Sequence, residues 1–171
     1  MDDNKVSHMD NRVNSIVSDK IEEKCEKLSR TTGKKHRFLD VDINYIGGVK
    51  VAVSTPHHVG KALEYFGETL KGKVVNPTTS QLFTITSEGK ELDDLKKYRY
   101  HSITNKILWI MKRSRPYLET AVYFICPRVP CPTEEDWGKL RRVLNYLKVT
   151  KYDKSIMGSN NLLQIDTQIY T

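Results

Sequence analysis

The sequence predicts an α+β protein: an N-terminal helix and a β-hairpin followed by a helical bundle. Three observations predict it. Apolar residues recur at three and four over residues 10–28, the period changes to two over 39–53, and a helical period returns from about 92 to 148. In the first stretch Val13, Ile16, Val17, Ile21, Cys25 and Leu28 form one stripe, while Lys20, Glu22, Glu23, Lys24 and Lys27 face water. Thr31, Thr32 and Gly33 end it. Leu39, Val41, Ile43 and Tyr45 then alternate with Asp40, Asp42 and Asn44, Gly47 and Gly48 suit a type I′ turn, and Val49, Val51 and Val53 resume the alternation.

Thr55 and Pro56 fit the N-cap and first position of a short helix with Val59, Ala62, Leu63 and Phe66 on its apolar face and Gly67 as its stop. Residues 68–90 read as a spacer: Asn76, Pro77, Thr78, Thr79 and Ser80 are loop formers, and 82–86 suit a short extended piece. Three helices follow, over about 92–113, 117–126 and 134–148. The last has Thr133 at its N-cap, Asp136 three residues on, and Trp137, Leu140, Val143, Leu144 and Leu147 on one face. Residues 162–170 read as one further strand. The expected organisation is therefore 1–67, a linker at 68–90, a helical part at 91–154 and a tail at 155–171.

With 171 residues, 38% of them apolar, the chain can build one real core. No apolar run approaches the roughly 18 residues that span a bilayer, and the polar, acidic N-terminus is unlike a signal peptide. A soluble intracellular protein, cytoplasmic or nuclear, with no membrane partner is the expectation. Cys25, Cys126 and Cys131 have unrelated spacings and no histidines completing a zinc pattern, so they read as reduced structural thiols.

The charge is uneven. Of a net +7, most lies between Thr104 and Lys154, where eleven Lys or Arg face five Asp or Glu. Trp109, Tyr117, Tyr123, Trp137 and Tyr146 are interleaved with these cations, as a phosphate-tracking surface requires, although a solvated helix face has the same composition. Other constellations are weaker. His57 and His58 are adjacent, so on a helix they point about 100° apart and read as surface polar residues. Asp40 and Asp42 would share one exposed hairpin face. Cys126 and Cys131, among Pro127, Pro130 and Pro132, mark a helix-ending turn.

The order of motifs is more specific than any one of them. Asp2 and Asp3 follow Met1; Phe38 and Leu39 lead the hairpin; Ala62 to Gly67 end a short helix in Phe-Gly. Ile107 to Ile110, Arg115 with Pro116, and Tyr146 to Thr150 follow. This series resembles copia-type retrotransposon reverse transcriptase, an RNA-directed DNA polymerase encoded within a polyprotein that serves transposition and DNA integration. The resemblance runs from the end of the Tyr-x-Asp-Asp box to the edge of RNase H.

The resemblance implies a palm end with a primer-grip-like hairpin, then thumb-like helices holding an RNA:DNA hybrid by its backbone. Lys106, Lys112, Arg113, Arg115, Lys139, Arg141 and Arg142 become the candidate nucleic-acid contacts, with Arg115 alternatively bracing the turn at Pro116. Asp2 and Asp3 become two of the carboxylates that hold Mg²⁺ for nucleotidyl transfer. The family's third aspartate and its fingers have no counterpart in this sequence, and two carboxylates beside a terminal ammonium make a poor octahedral site. The expectation is a truncated polymerase segment without activity on its own, its partners being nucleic acid and a separate fingers and palm portion.

Departures from the family pattern agree with that expectation: Asp40 and Val149 stand where glycines are usual, Tyr117 replaces an aspartate, and Tyr170 aligns with the first RNase H aspartate. Two rival readings stand beside it. One is a stand-alone basic nucleic-acid module over 90–154; the other is a folded remnant or interaction protein whose cations share no face.

Overall fold

The computed structural model describes residues 32–47, 49–85, 89–161 and 164–170. The expected helix at 10–28 and the aspartates Asp2 and Asp3 lie outside them. Two compact units divide at Gly33, and the second, Lys34–Thr171, is a mixed α and β body.

Its sheet is antiparallel in the order β1 (Lys35–Phe38), β2 (Val41–Gly47), β3 (Lys50–Ser54), β4 (Lys154–Asn161) and β5 (Gln164–Tyr170). Residues 41–53 form the hairpin that the alternation predicts, with Asp42 opposite Ser54 and Tyr45 opposite Val51. Gly47 pairs with Lys50 after a register shift that follows Tyr45, so the turn falls one residue later than expected. Gly47 has φ +110, a backbone region that favours glycine, and Gly48 lies outside the described residues.

Leu39 is not a strand residue. It and Asp40 make a two-residue turn from β1 to β2, at φ 49 and φ 62. Asp tolerates the left-handed region through its short polar side chain, but a leucine there costs roughly 1–2 kcal/mol. The hairpin is thus a three-stranded meander, whose β3 edge is taken by β4 with Val53 opposite Ser155 and Lys50 opposite Gly158. The expected lone strand at 162–170 is one arm of a second hairpin, β4–β5.

Four helices lie between β3 and β4 among the described residues: α1 (Pro56–Phe66), α2 (Asp94–Ser114), α3 (Glu119–Ile125) and α4 (Glu134–Val149). Thr55 occupies the N-cap of α1 and Pro56 its first turn, but the threonine hydroxyl does not cap. It is hydrogen-bonded at 2.6 Å to the hydroxyl of Ser114, tying the start of α1 to the end of α2. Gly67 at φ 70 closes α1 as predicted. Asp93 caps α2 by accepting from the Lys96 amide at 2.8 Å. α4 starts with the full capping box, Thr133 accepting from the Asp136 amide while the Asp136 carboxylate accepts from the Thr133 amide. Arg128 also clasps the buried Asp136 carboxylate, at 3.1 Å.

One core joins the helices. Val59, Ala62 and Phe66 of α1, Ile103, Ile107 and Ile110 of α2, Ala121, Val122 and Ile125 of α3, and Leu140, Val143, Leu144 and Leu147 of α4 are fully enclosed. Trp137 stacks on Phe66 with ring centroids 5.0 Å apart and donates its indole N–H to Glu68 at 3.0 Å. Each such large side chain contributes roughly 1.5–3 kcal/mol by leaving water. The segment at 82–86, expected to be extended, forms a turn in its described part, with the Leu82 amide donating to Thr79 and the Thr84 amide to Gln81. Leu82 is buried there while Phe83 meets Phe124 edge-on at 5.7 Å.

Candidate nucleic-acid interface

The spacing of α1 and α2 sets the main cationic face. His58, Lys61 and Tyr65 recur at three and four along α1, and Lys106, Trp109 and Arg113 do the same along α2. The two stripes meet. The His58 imidazole stacks on Trp109 with centroids 4.1 Å apart and planes 27° apart. Lys106 Nζ lies 5.6 Å from the Tyr65 ring centre, and the Arg113 guanidinium 5.9 Å from that of Trp109. Aromatic support holds a cation in place without neutralising it.

The β1–β2 turn adds one anion to this face. Asp40 Oδ2 accepts from Lys61 Nζ at 2.7 Å and lies 4.0 Å from His58 Nδ1. The bond from Lys61 holds the Asp40 carboxyl below the usual carboxylate range. Burial pushes the His58 pKa down, and Lys106, Lys61 and His57 push it further, against the opposing pull of Asp40. Asp40 and Asp42 do not share a strand face as expected, because Asp40 lies in the β1–β2 turn while Asp42 is a β2 residue paired with Arg37 at 2.6 Å. His58, expected to be a solvated surface residue, stacks on Trp109 with only 19% of its side chain exposed.

The seven cations named from the sequence fall into separate places. Lys106 and Arg113 belong to the face just described. Lys112 is exposed on the next side of α2, with its ammonium 5.9 Å from the Tyr123 ring centre. Arg115 is 1% exposed and does not reach the surface, which removes it from the contact set. Its guanidinium donates to the Tyr117 hydroxyl and the Thr150 carbonyl at 2.6 Å each, and to the Lys151 carbonyl at 3.3 Å, with Asp153 3.5 Å away. It braces the Pro116 turn and fastens it to the end of α4. Beside it the Tyr146 hydroxyl is pushed up to about 12, by burial first and then by Tyr117.

The cations of α4 are tied to the spacer. Lys139 donates to the Thr84 carbonyl above the Phe124 ring, and Arg141 pairs with Glu68. Lys148 donates to the Leu70 carbonyl at 2.9 Å. Arg142 lines an open groove with Thr79, Gln81, Thr84, Glu135 and Lys139.

Sequence reasoning missed His58, Lys61 and Tyr65 as members of the α2 face. Their spacing of three and four on α1 was the available signal. Among the described residues no group of three acidic, histidine or cysteine side chains is placed to hold a metal ion, and no helix is long and apolar enough to cross a membrane. Cys126 opens the short turn Cys126–Arg128 and Cys131 is exposed, both as free thiols. No family model matches this chain, and neither a curated protein nor a solved structure matches it.

Proposed function

We propose that this chain is a segment of a copia-type reverse transcriptase whose own contribution is to hold nucleic acid by its backbone. The observation that carries the reading is the face on which Lys61, Lys106 and Arg113 surround Tyr65 and Trp109, immediately beside the Asp40 turn. Two outward cations, Lys106 and Arg113, and two aromatic rings, with Lys61 held beside them by Asp40, make a surface on adjacent helices that suits the phosphates and sugars of an A-form RNA:DNA hybrid, whose deep, narrow major groove excludes side chains. In the family, Mg²⁺ activates the primer hydroxyl and stabilises the leaving pyrophosphate. Asp2 and Asp3 are the residues that match its acidic box, and the chain supplies no third matching aspartate, so nucleotidyl transfer is assigned to the complete polymerase.

Filter binding of an RNA:DNA hybrid across a salt series tests the reading. Affinity is expected to fall linearly on logarithmic axes as salt rises, because each phosphate neutralised releases condensed counterions. Affinity independent of salt, or no retention of the hybrid at any salt, would reject it. A stand-alone module at 90–154 is less well supported, since Val59, Ala62 and Phe66 of α1 belong to the same core as α2 and α4.

A further inference from the structure

Leu39, Asp40, His58 and Trp109 line an open recess of about 390 Å³ at the edge of the cationic face. Its parts come from three separate elements, and each has a feature that packing alone does not require. Leu39 is held at φ 49 with 68% of its surface exposed, so an apolar side chain sits in an unfavourable backbone conformation with little core to bury. Strain of this kind concentrates where a turn must present particular groups. Trp109 rests one ring face on His58 and is only partly buried. Lys61 donates to Oδ2 of Asp40 and His58 Nδ1 lies 4.0 Å from the same oxygen, and a carboxylate that lines the recess has acceptor capacity beyond that one bond. Lys106 and Arg113, one turn to either side of Trp109 on α2, flank the recess.

We propose that this recess takes one unpaired nucleobase of a bound strand, stacked against Trp109 and Leu39, with its exocyclic amine donating to Asp40. The inference rests on the backbone-holding reading and adds to it a preference among bases. A flat apolar wall of Trp and Leu accepts any base by stacking. The carboxylate discriminates. Cytosine offers N4–H₂ as a donor, whereas uracil, of the same size and stacking surface, turns a carbonyl oxygen toward the same negative charge. Arg113 lies above the indole at a distance beyond direct stacking, so a small outward swing places its guanidinium over the inserted base. Lys106 and Arg113 then meet the phosphates on either side, which commits the site to a strand rather than a free nucleotide.

The test uses the full chain and three single-stranded oligonucleotides with identical flanks and one central position that is cytosine, uracil or abasic. Binding is read by anisotropy and by quenching of Trp109 fluorescence, with Trp109→Leu as the control for the buried Trp137. The cytosine strand is expected to bind on the order of fivefold more tightly than the uracil strand, and the abasic strand most weakly without quenching. Asp40→Gly suits the positive φ of the turn and is expected to erase the cytosine preference. By releasing Lys61 it should tighten the binding of both strands. Equal binding of all three strands would overturn the base site and leave backbone holding intact. Competition by cytidine monophosphate at the same concentration as the strand would overturn the assignment to a strand. Failure of every oligonucleotide to bind while the RNA:DNA hybrid is still retained would overturn this inference alone, and failure of the hybrid as well would overturn the function on which it rests.

Discussion

The two cationic regions of this protein use similar residues in opposite ways. On the α1 and α2 face, Lys106 and Arg113 lie over Tyr65 and Trp109, and their charge stays outward. On α4, Lys139, Arg141 and Lys148 are bound to Thr84, Glu68 and Leu70, so they fasten the spacer to the helix. A cation over a ring keeps most of its field, whereas a cation on a carboxylate or carbonyl has already used a donor and part of its charge. Counting lysines and arginines along the chain does not separate the two kinds. Their partners do.

Arg115 is the extreme of the second kind, and replacing it should have the largest effect. Arg115→Met is expected to destabilise the fold by about 3–5 kcal/mol in chemical denaturation, since the Thr150 and Lys151 carbonyls lose their common donor and Asp153 loses its ion-pair partner. A loss below about 1 kcal/mol would show that water replaces the guanidinium and that Arg115 is no brace.

The contrast between the faces is broken most directly by paired variants. Lys106→Ala with Arg113→Ala should lower affinity for an RNA:DNA hybrid at least tenfold at low salt and reduce the steepness of the logarithmic salt dependence by about 2, with stability nearly unchanged. Lys139→Ala should do the reverse, costing about 1 kcal/mol of stability and changing affinity by less than about twofold. Equal effects of the two changes on the salt slope would mean that α4 also faces the nucleic acid, and the distinction would fall.

The smallest effect concerns His58, which sharpens the picture of the first face. Its pKa is depressed in the folded protein, so the folded state binds fewer protons than the unfolded chain, and the stability from neutral His58 is complete only above about pH 6.5. Lowering the pH from about 7 to about 5 should therefore reduce the unfolding midpoint more in the parent protein than in His58→Phe. Parallel curves would show that the imidazole stacked on Trp109 does not resist protonation.

Much of the helical part was legible because its signals are local. Thr133 and Asp136 announce the start of α4 three residues apart, and Leu140, Val143, Leu144 and Leu147 leave no choice of buried face. The turn at Leu39 and Asp40 was not legible, since an apolar residue followed by an acidic one continues a strand alternation, and leucine, unlike aspartate, is not a usual turn former with positive φ. The joining of β3 to β4 was hidden for a different reason: no local pattern specifies a partner so distant in the chain. The interface was half legible. Lys106, Trp109 and Arg113 show their common stripe in the sequence, but His58 and Lys61 join it only through the packing of α1 on α2.

That distant pairing has a consequence for biosynthesis. Val53 meets Ser155, so about a hundred residues must leave the ribosome before β3 gains its second neighbour. At about 5–20 residues per second this amounts to several seconds or more, during which one row of β3 amides and carbonyls has no strand to bind. Phe66 and Trp137 can be buried together without β4, whereas the second edge of β3 closes only when β4 pairs with it. A chain cut between Val149 and Lys154 would keep every helix that lies between β3 and β4 but leave β3 with an open edge, the state most exposed to pairing with another chain.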